Sequence, residues 1–175
     1  MDDRADAPAR VAALVADAVA RLRAAGAREE AWAEYVPARR VLGLPRAARM
    51  TPRGRVWRLG VLLVTTDGAL LATGRVVRAQ REVRRSVTAN SVAVERAFKA
   101  AAVRGGYHED ETVNFGAVPV DLDELAAHGA SGPLVVGDDG VLRVRWSPTD
   151  PGALADLAGY LAERVDLLAH PPGGA

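Results

Sequence analysis

The chain is 175 residues long, carries 23 basic against 22 acidic side chains for a formal net charge of +1, and contains no cysteine. Disulfides, thiolate zinc sites, iron–sulfur clusters and cysteine nucleophiles are therefore excluded. Apolar types reach 49%, but 35 of those residues are alanine; the 23 valines, 18 leucines and ten Met, Phe, Trp and Tyr residues form the core stock, enough for one domain without staples.

Residues 8–25 read as an amphipathic helix, because Val11, Leu14, Val15, Val19 and Leu22 recur at helical spacing and Gly26 is a natural stop. Residues 28–36 suggest a short helix presenting Trp32 and Tyr35, after which Pro37, Pro45 and Pro52 break regularity. Residues 56–65 and 69–78 are apolar, β-branched runs joined at Asp67-Gly68, the pattern of a hairpin. Asn90 or Ser91 is placed to cap a helix reaching Arg104, which would bury Val94, Phe98 and Ala101 and end at Gly105-Gly106. Residues 113–120 predict a short strand. Asp121 followed by Glu124 resembles a capping box for a helix to His128, closed by Gly129. Residues 134–136 and 141–146 predict a second hairpin around Asp139-Gly140. Asp150, with Pro151 in the first turn, then opens a helix striped by Leu154, Leu157, Leu161, Val165 and Leu168. Trp57 and Trp146 fall among strand-like residues and are expected to pack in the interior.

These elements predict one α+β domain over residues 1–170, with a flexible tail at 171–175. Its centre would be an antiparallel sheet of four to five strands built from the two Asp-Gly hairpins, covered by amphipathic helices that include the long N- and C-terminal ones. No apolar stretch approaches the roughly 20 residues of a membrane helix, and the acidic first ten residues do not resemble a secretory signal, so a cytoplasmic protein without membrane contact is expected. The 22 arginines beside a single lysine, Lys99, and the absence of isoleucine fit a GC-rich coding sequence, as of a GC-rich bacterium.

The two hairpins align at an offset of 72 residues. Gly60-x-Leu62-Leu63-Val64 matches Gly132-x-Leu134-Val135-Val136, and Asp67-Gly68 matches Asp139-Gly140. A duplicated unit would produce this pattern, and so would the shared chemistry of Asp-Gly turns between valines and leucines. Charge is unevenly spread as well: residues 39–85 sum to +10, against −2 for residues 1–38 and −7 for residues 86–175. A basic surface for nucleic acid would produce that division. Neutralisation of the basic segment by acidic elements of the fold is the favoured reading, because Arg75 and Arg78 point to opposite faces of one strand and Trp57 is the segment's only aromatic residue.

Three places bear chemistry. Arg84, Arg85, Thr88, Asn90 and Ser91 precede and open a helix, where guanidiniums, hydroxyls and free amides suit a small anionic ligand. No glycine-rich phosphate loop accompanies them. Glu95 and His108 are the candidates for an acid–base pair. Residues 107–111 bring His108 next to three carboxylates, but no His-x3-His spacing supports a metal, and none is expected. Ser-x-x-Lys, Gly-x-Ser-x-Gly and His-Glu-x-x-His are all missing. The leading expectation is a non-enzymatic binding or interaction module with an anionic-ligand site, no cofactor, and self-association as a dimer. The alternatives are a small hydrolase or transferase acting on an anionic substrate, and nucleic-acid binding through the Arg-rich 39–85 segment.

Overall fold

In a computed structural model, which describes residues 4–81, 90–147 and 149–171, the chain is α+β. Its elements are α1 (Ala7–Ala24), β1 (Glu30–Val36), β2 (Arg39–Val41), β3 (Leu44–Arg46), β4 (Arg49–Leu59), β5 (Leu62–Thr65), β6 (Leu70–Ala72) and β7 (Arg75–Arg78). They continue with α2 (Asn90–Arg104), β8 (Thr112–Phe115), β9 (Val118–Pro119), α3 (Leu122–His128), β10 (Ala130–Ser131), β11 (Leu134–Val136), β12 (Leu142–Arg145), β13 (Leu154–Asp156) and α4 (Leu157–Ala169). Two compact units divide these residues. The first comprises Met1–Glu29, Val56–Thr73 and Val118–Ala175, and the second Glu30–Arg55 and Gly74–Ala117. Strand β4 crosses the division and contributes its first half to the second unit and its second half to the first.

The first unit contains two antiparallel meanders. In one, Leu59 pairs with Leu62 across Gly60-Val61, and Val64 pairs with Leu70 across the turn that holds Asp67-Gly68. In the other, Ser131 pairs with Leu134 across Gly132-Pro133, and Val136 pairs with Leu142 across the turn that holds Asp139-Gly140. Every partner is displaced by the same 72 residues, and the turn bonds follow suit: Gly68 N–H donates to the Thr65 carbonyl as Gly140 N–H donates to that of Gly137. Gly60 and Gly132 both lie in the left-handed region, at φ 65° and 53°. The sequence likeness thus extends to an identical backbone register. Helix α1 buries Val11, Val15, Val19 and Leu22, and α4 buries Leu157, Tyr160, Leu161 and Val165, in one cluster with Trp57, Leu62, Leu134 and Val144. The Trp57 indole N–H donates to the Ala27 carbonyl at 3.1 Å.

The second unit has mixed pairing in the order β7-β8-β1-β4. Strand β8 runs parallel to β1, with Trp32 opposite Asn114, and antiparallel to β7, with Arg75 opposite Phe115. Its core is small-residue-rich: Ala31, Ala33, Met50, Val77, Ala101, Ala102, Val113 and Phe115. Asn114, fully buried, donates from Nδ2 to Glu30 Oε2 at 2.7 Å and to the Ala31 carbonyl at 3.2 Å, which ties β8 to the start of β1. Strands β2 and β3 form a separate two-stranded ribbon.

Several expectations are corrected. The antiparallel sheet of four to five strands is replaced by mixed pairing, since β1 and β8 are parallel. The long arms assigned to the first Asp-Gly turn are broken at Gly60, where the chain reverses, and at Gly74, whose Cα lies too close to the backbone of Phe115 and Gly116 for a side chain. Residues 28–36 form no helix: Ala31 and Ala33 alternate with Trp32 and Glu34 along β1, and pairing with β8 overrides local helix propensity. The strand expected over 113–120 is split into β8 and β9 around Gly116, at φ 66°. Asp150 caps no helix. Its carboxylate accepts from the Gly152 amide at 2.8 Å in a turn, Leu154–Asp156 then pairs with β12, and Asp156 caps α4 through the Gly159 amide. Leu154 is consequently exposed, as are Val94 on α2 and Trp146, which keeps 52% of its surface open. The short helix after Asp121 is present as expected, with Asp121 accepting from the amides of Asp123 and Glu124 and Gly129 left-handed at its end. No helix among the described residues is long and apolar enough to cross a membrane.

The Asp139 turn carries a pH-dependent element. Its carboxylate accepts two bonds from the Arg143 guanidinium, at 2.7 and 2.5 Å, and one from the Val141 amide at 3.2 Å. The guanidinium first and the amide second hold this carboxyl well below its ordinary value of 3.8. A depressed folded-state value means that the stabilisation is complete above the ordinary value and is lost as pH falls toward the folded one. Wild type should therefore lose melting temperature more steeply than Asp139→Asn below about pH 4. Parallel acid profiles for the two proteins would show that the pair contributes nothing.

Candidate functional site

The second unit holds a cavity of about 610 Å³, running along β1 from Trp32 to Tyr35 and closed by Phe98 of α2, Phe115 of β8, Arg75 of β7 and Arg53 of β4. The parallel register sets Ala33 beside Phe115, and alternation puts Tyr35 on the same face of β1 as Ala33, where its ring meets those of Phe98 and Phe115; Trp32 is out of phase with Tyr35 and shares the other face with Glu34. Tyr35 meets Phe98 edge-on at 4.9 Å between centroids, Phe98 meets Phe115 at 4.9 Å, and Tyr35 lies 6.1 Å from Phe115. Such offset and edge-on arrangements are the favoured ones for aromatic pairs.

Two guanidiniums stand over this floor and differ in kind. Arg53 pairs with Glu34 on the neighbouring strand. Arg75 lies over the Phe98 ring, 5.2 Å from its centroid, and among the described residues it has no carboxylate partner. Among the described residues, the site is thus an aromatic concavity with one guanidinium that stacks on a ring and has no carboxylate partner. Behind β1, the Tyr107 hydroxyl donates to the Trp32 carbonyl at 3.3 Å. Burial first, then the nearby Glu111 carboxylate, push this phenol above its ordinary value, while Arg55 acts in the opposite sense.

The residues singled out from sequence fall elsewhere. Arg84, Arg85 and Thr88 lie outside the described residues; Asn90 and Ser91 open α2 as expected, but their side chains lie outside the description too. Glu95 is exposed on α2 and pairs with Lys99 at 3.0 Å. His108 is exposed beyond the far end of the same helix, where its amide donates to Glu111 Oε2 at 3.1 Å. The nine rises from Glu95 to Arg104 alone span about 13 Å of helix axis, and His108 lies beyond the end of α2, so the helix keeps the two candidates apart. Glu111 is engaged with Arg55 at 2.8 Å, and no group of three or more His, Asp or Glu among the described residues is placed to hold a metal ion. The aromatic site was not anticipated, although one sequence signal pointed to it. The chain has only eight Trp, Tyr and Phe residues, and four of them line this one cavity.

No protein-family model, curated protein or solved structure matches this chain. What the molecule does therefore rests on the chemistry of its own residues.

Proposed function

We propose that the chain is a binding module whose second unit captures a small, planar, anionic molecule. The observation that carries this reading is a concavity floored by the packed rings of Tyr35, Phe98 and Phe115 and bordered by Trp32, beside the Arg75 guanidinium, which has no carboxylate partner among the described residues. The volume lies within the range typical of small-molecule sites, which are lined mainly by apolar and aromatic groups with a few polar ones fixing orientation. In this arrangement the rings stack on the planar body of the ligand, and Arg75 donates charge-assisted hydrogen bonds to its carboxylate, sulfonate or phosphate. Arg53, already held by Glu34, serves as a wall of the site. The described lining offers rings and guanidiniums, which suit binding, and binding is the reading adopted.

Anilinonaphthalene sulfonate, an aromatic sulfonate, is a suitable probe, with neutral phenylnaphthylamine as its uncharged counterpart. Wild type should bind the sulfonate saturably, with quenching of Trp32 emission. Arg75→Ala should weaken it about tenfold or more, since a hydrogen bond to a charged group contributes about 1.5–3 kcal/mol net. The neutral dye should bind wild type and Arg75→Ala alike. Equal sulfonate affinity for the two proteins, or non-saturable binding, would overturn the proposal. Arg75 is exposed, so the variant's melting curve should match that of wild type.

A further inference from the structure

The β2–β3 ribbon carries a second set of features independent of the aromatic cavity. Residues 37–49 contain four arginines and no acidic residue, and the first carboxylate after Glu34 is that of Asp67. Two arginines of β4 are neutralised, Arg53 by Glu34 and Arg55 by Glu111. Arg39, Arg40 and Arg46 of the ribbon, and Arg49 at the first position of β4, make no ion pair among the described residues. Register places Arg39 directly opposite Arg46, a like-charge cross-strand pair that is unfavourable unless an anion lies between. Those two and Arg49 surround a cavity of about 290 Å³ at the ribbon's base.

The tip is apolar and open. Leu42, at φ 51° and 98% exposed, and Leu44, 70% exposed, project where the chain reverses. Val41 pairs with Leu44 across the two-residue loop Leu42-Gly43, whose positive φ values of 51° and 78° are those such a tight hairpin requires, so the turn accounts for the backbone but not for two leucines left in solvent at its tip.

We propose that this ribbon is an arm that enters the major groove of duplex DNA. Arg39, Arg46 and Arg49 hold backbone phosphates at its base, Arg40 engages phosphate from the other face, and Leu42 and Leu44 contact thymine methyl groups. A groove about 12 Å wide admits a two-stranded ribbon, and apolar side chains there meet the thymine methyl. Single-stranded nucleic acid is disfavoured, because residues 36–56 contain no aromatic side chain on which a base could stack. A lipid surface is the weaker fit, because the cations occupy both faces of the ribbon and a concavity, where a flat bilayer would meet one face.

The test is fluorescence anisotropy of the full chain with a labelled mixed-sequence duplex of about 20 base pairs, titrated in potassium chloride from about 25 to 200 mM, the range over which phosphate contacts are read out. Three to four phosphates neutralised predict a slope of log Kobs against log salt of about −2.7 to −3.6. Arg39→Ala/Arg46→Ala/Arg49→Ala should reduce the slope by about 2.7 and weaken binding at least about tenfold at low salt. Leu42→Ser/Leu44→Ser should weaken binding with the slope unchanged. Arg40→Glu, which borders neither cavity, should weaken it on its own and guards against misfolding of the triple variant; retained sulfonate-dye binding reports an intact second unit. The proposal falls if the duplex is not bound at low salt, if the triple variant binds as wild type does, or if a single strand binds as tightly as the duplex. Arm-dependent cosedimentation with phosphatidylglycerol vesicles, without duplex binding, would overturn it in favour of a membrane.

Discussion

Replacement of Trp57 by alanine should destabilise the first unit by about 3–5 kcal/mol, the usual range for deleting a fully buried large aromatic side chain. Trp57 is 1% exposed, packs in the cluster formed by α1, α4 and both meanders, and anchors its indole N–H on the Ala27 carbonyl. Domains of this kind have only about 5–15 kcal/mol in total, so the loss removes a large part of the margin. Trp146→Ala is the matched control. It deletes the same side chain from a half-exposed position and should change stability by less than about 1 kcal/mol. Urea denaturation followed by circular dichroism separates the two. Similar midpoints for both variants would contradict the packing described here.

The second large effect is expected at Gly105, where the reason is steric. A Cβ at this position would collide with the Met50 carbonyl, a backbone group that has no rotamer by which to move aside. Gly106 meets nothing within 4 Å, and what it requires is its left-handed φ of 94°. Gly106→Ala should accordingly cost about 1–2 kcal/mol, the ordinary penalty of that conformation for an L-residue. Gly105→Ala should cost about 3 kcal/mol, at the upper end for overpacking, because the C-terminal end of α2 must lift from β4. The Arg104 Nε bond to the Ala48 carbonyl, 2.7 Å, is made at the same junction and would be strained with it. Phe98 rides on the same helix, so Gly105→Ala should also lower sulfonate-dye affinity, whereas Gly106→Ala should leave it near wild type. Equal effects of the two substitutions would refute the distinction.

Those two glycines illustrate how far the sequence could be read. Gly105-Gly106 correctly announces the end of α2, because glycine is a local signal for chain reversal. That one of them is demanded by a carbonyl 55 positions earlier is a long-range fact with no local mark. Helices α1 and α3 were legible for the same reason: helical spacing, caps and stops all lie within a few residues of one another. Strand β1 was not. Arg28, Glu29, Glu30, Ala31 and Glu34 are compatible with a helix, and only the partner strand β8, some 80 residues away, makes the extended form the better one. The beginning of α4 was misplaced because Asp150-Pro151 and Asp156 are both plausible starts. Pairing of Leu154–Asp156 with β12 selects the second.

The candidate sites divide in the same way. Composition showed that aromatic residues are scarce, and charge arithmetic showed that residues 39–85 carry an excess of ten positive charges. Neither fact says where the groups point. Parallel pairing and one helix bring four of the eight aromatic residues from positions 32, 35, 98 and 115 to the lining of one cavity; cross-strand register leaves Arg39 and Arg46 facing each other while Glu34 and Glu111 neutralise Arg53 and Arg55 of β4. The exclusion of cysteine-dependent chemistry, the existence and limits of the best-capped helices and the 72-residue sequence likeness follow from residue identities and near-neighbour spacing, since each is a matter of covalent chemistry or of a few consecutive residues. Strand partners, the burial of Trp57 against the exposure of Trp146, the aromatic cavity and the division of the basic segment into paired and unpaired arginines required the tertiary structure. They depend on contacts between residues far apart in the chain, whose free energy no local window contains.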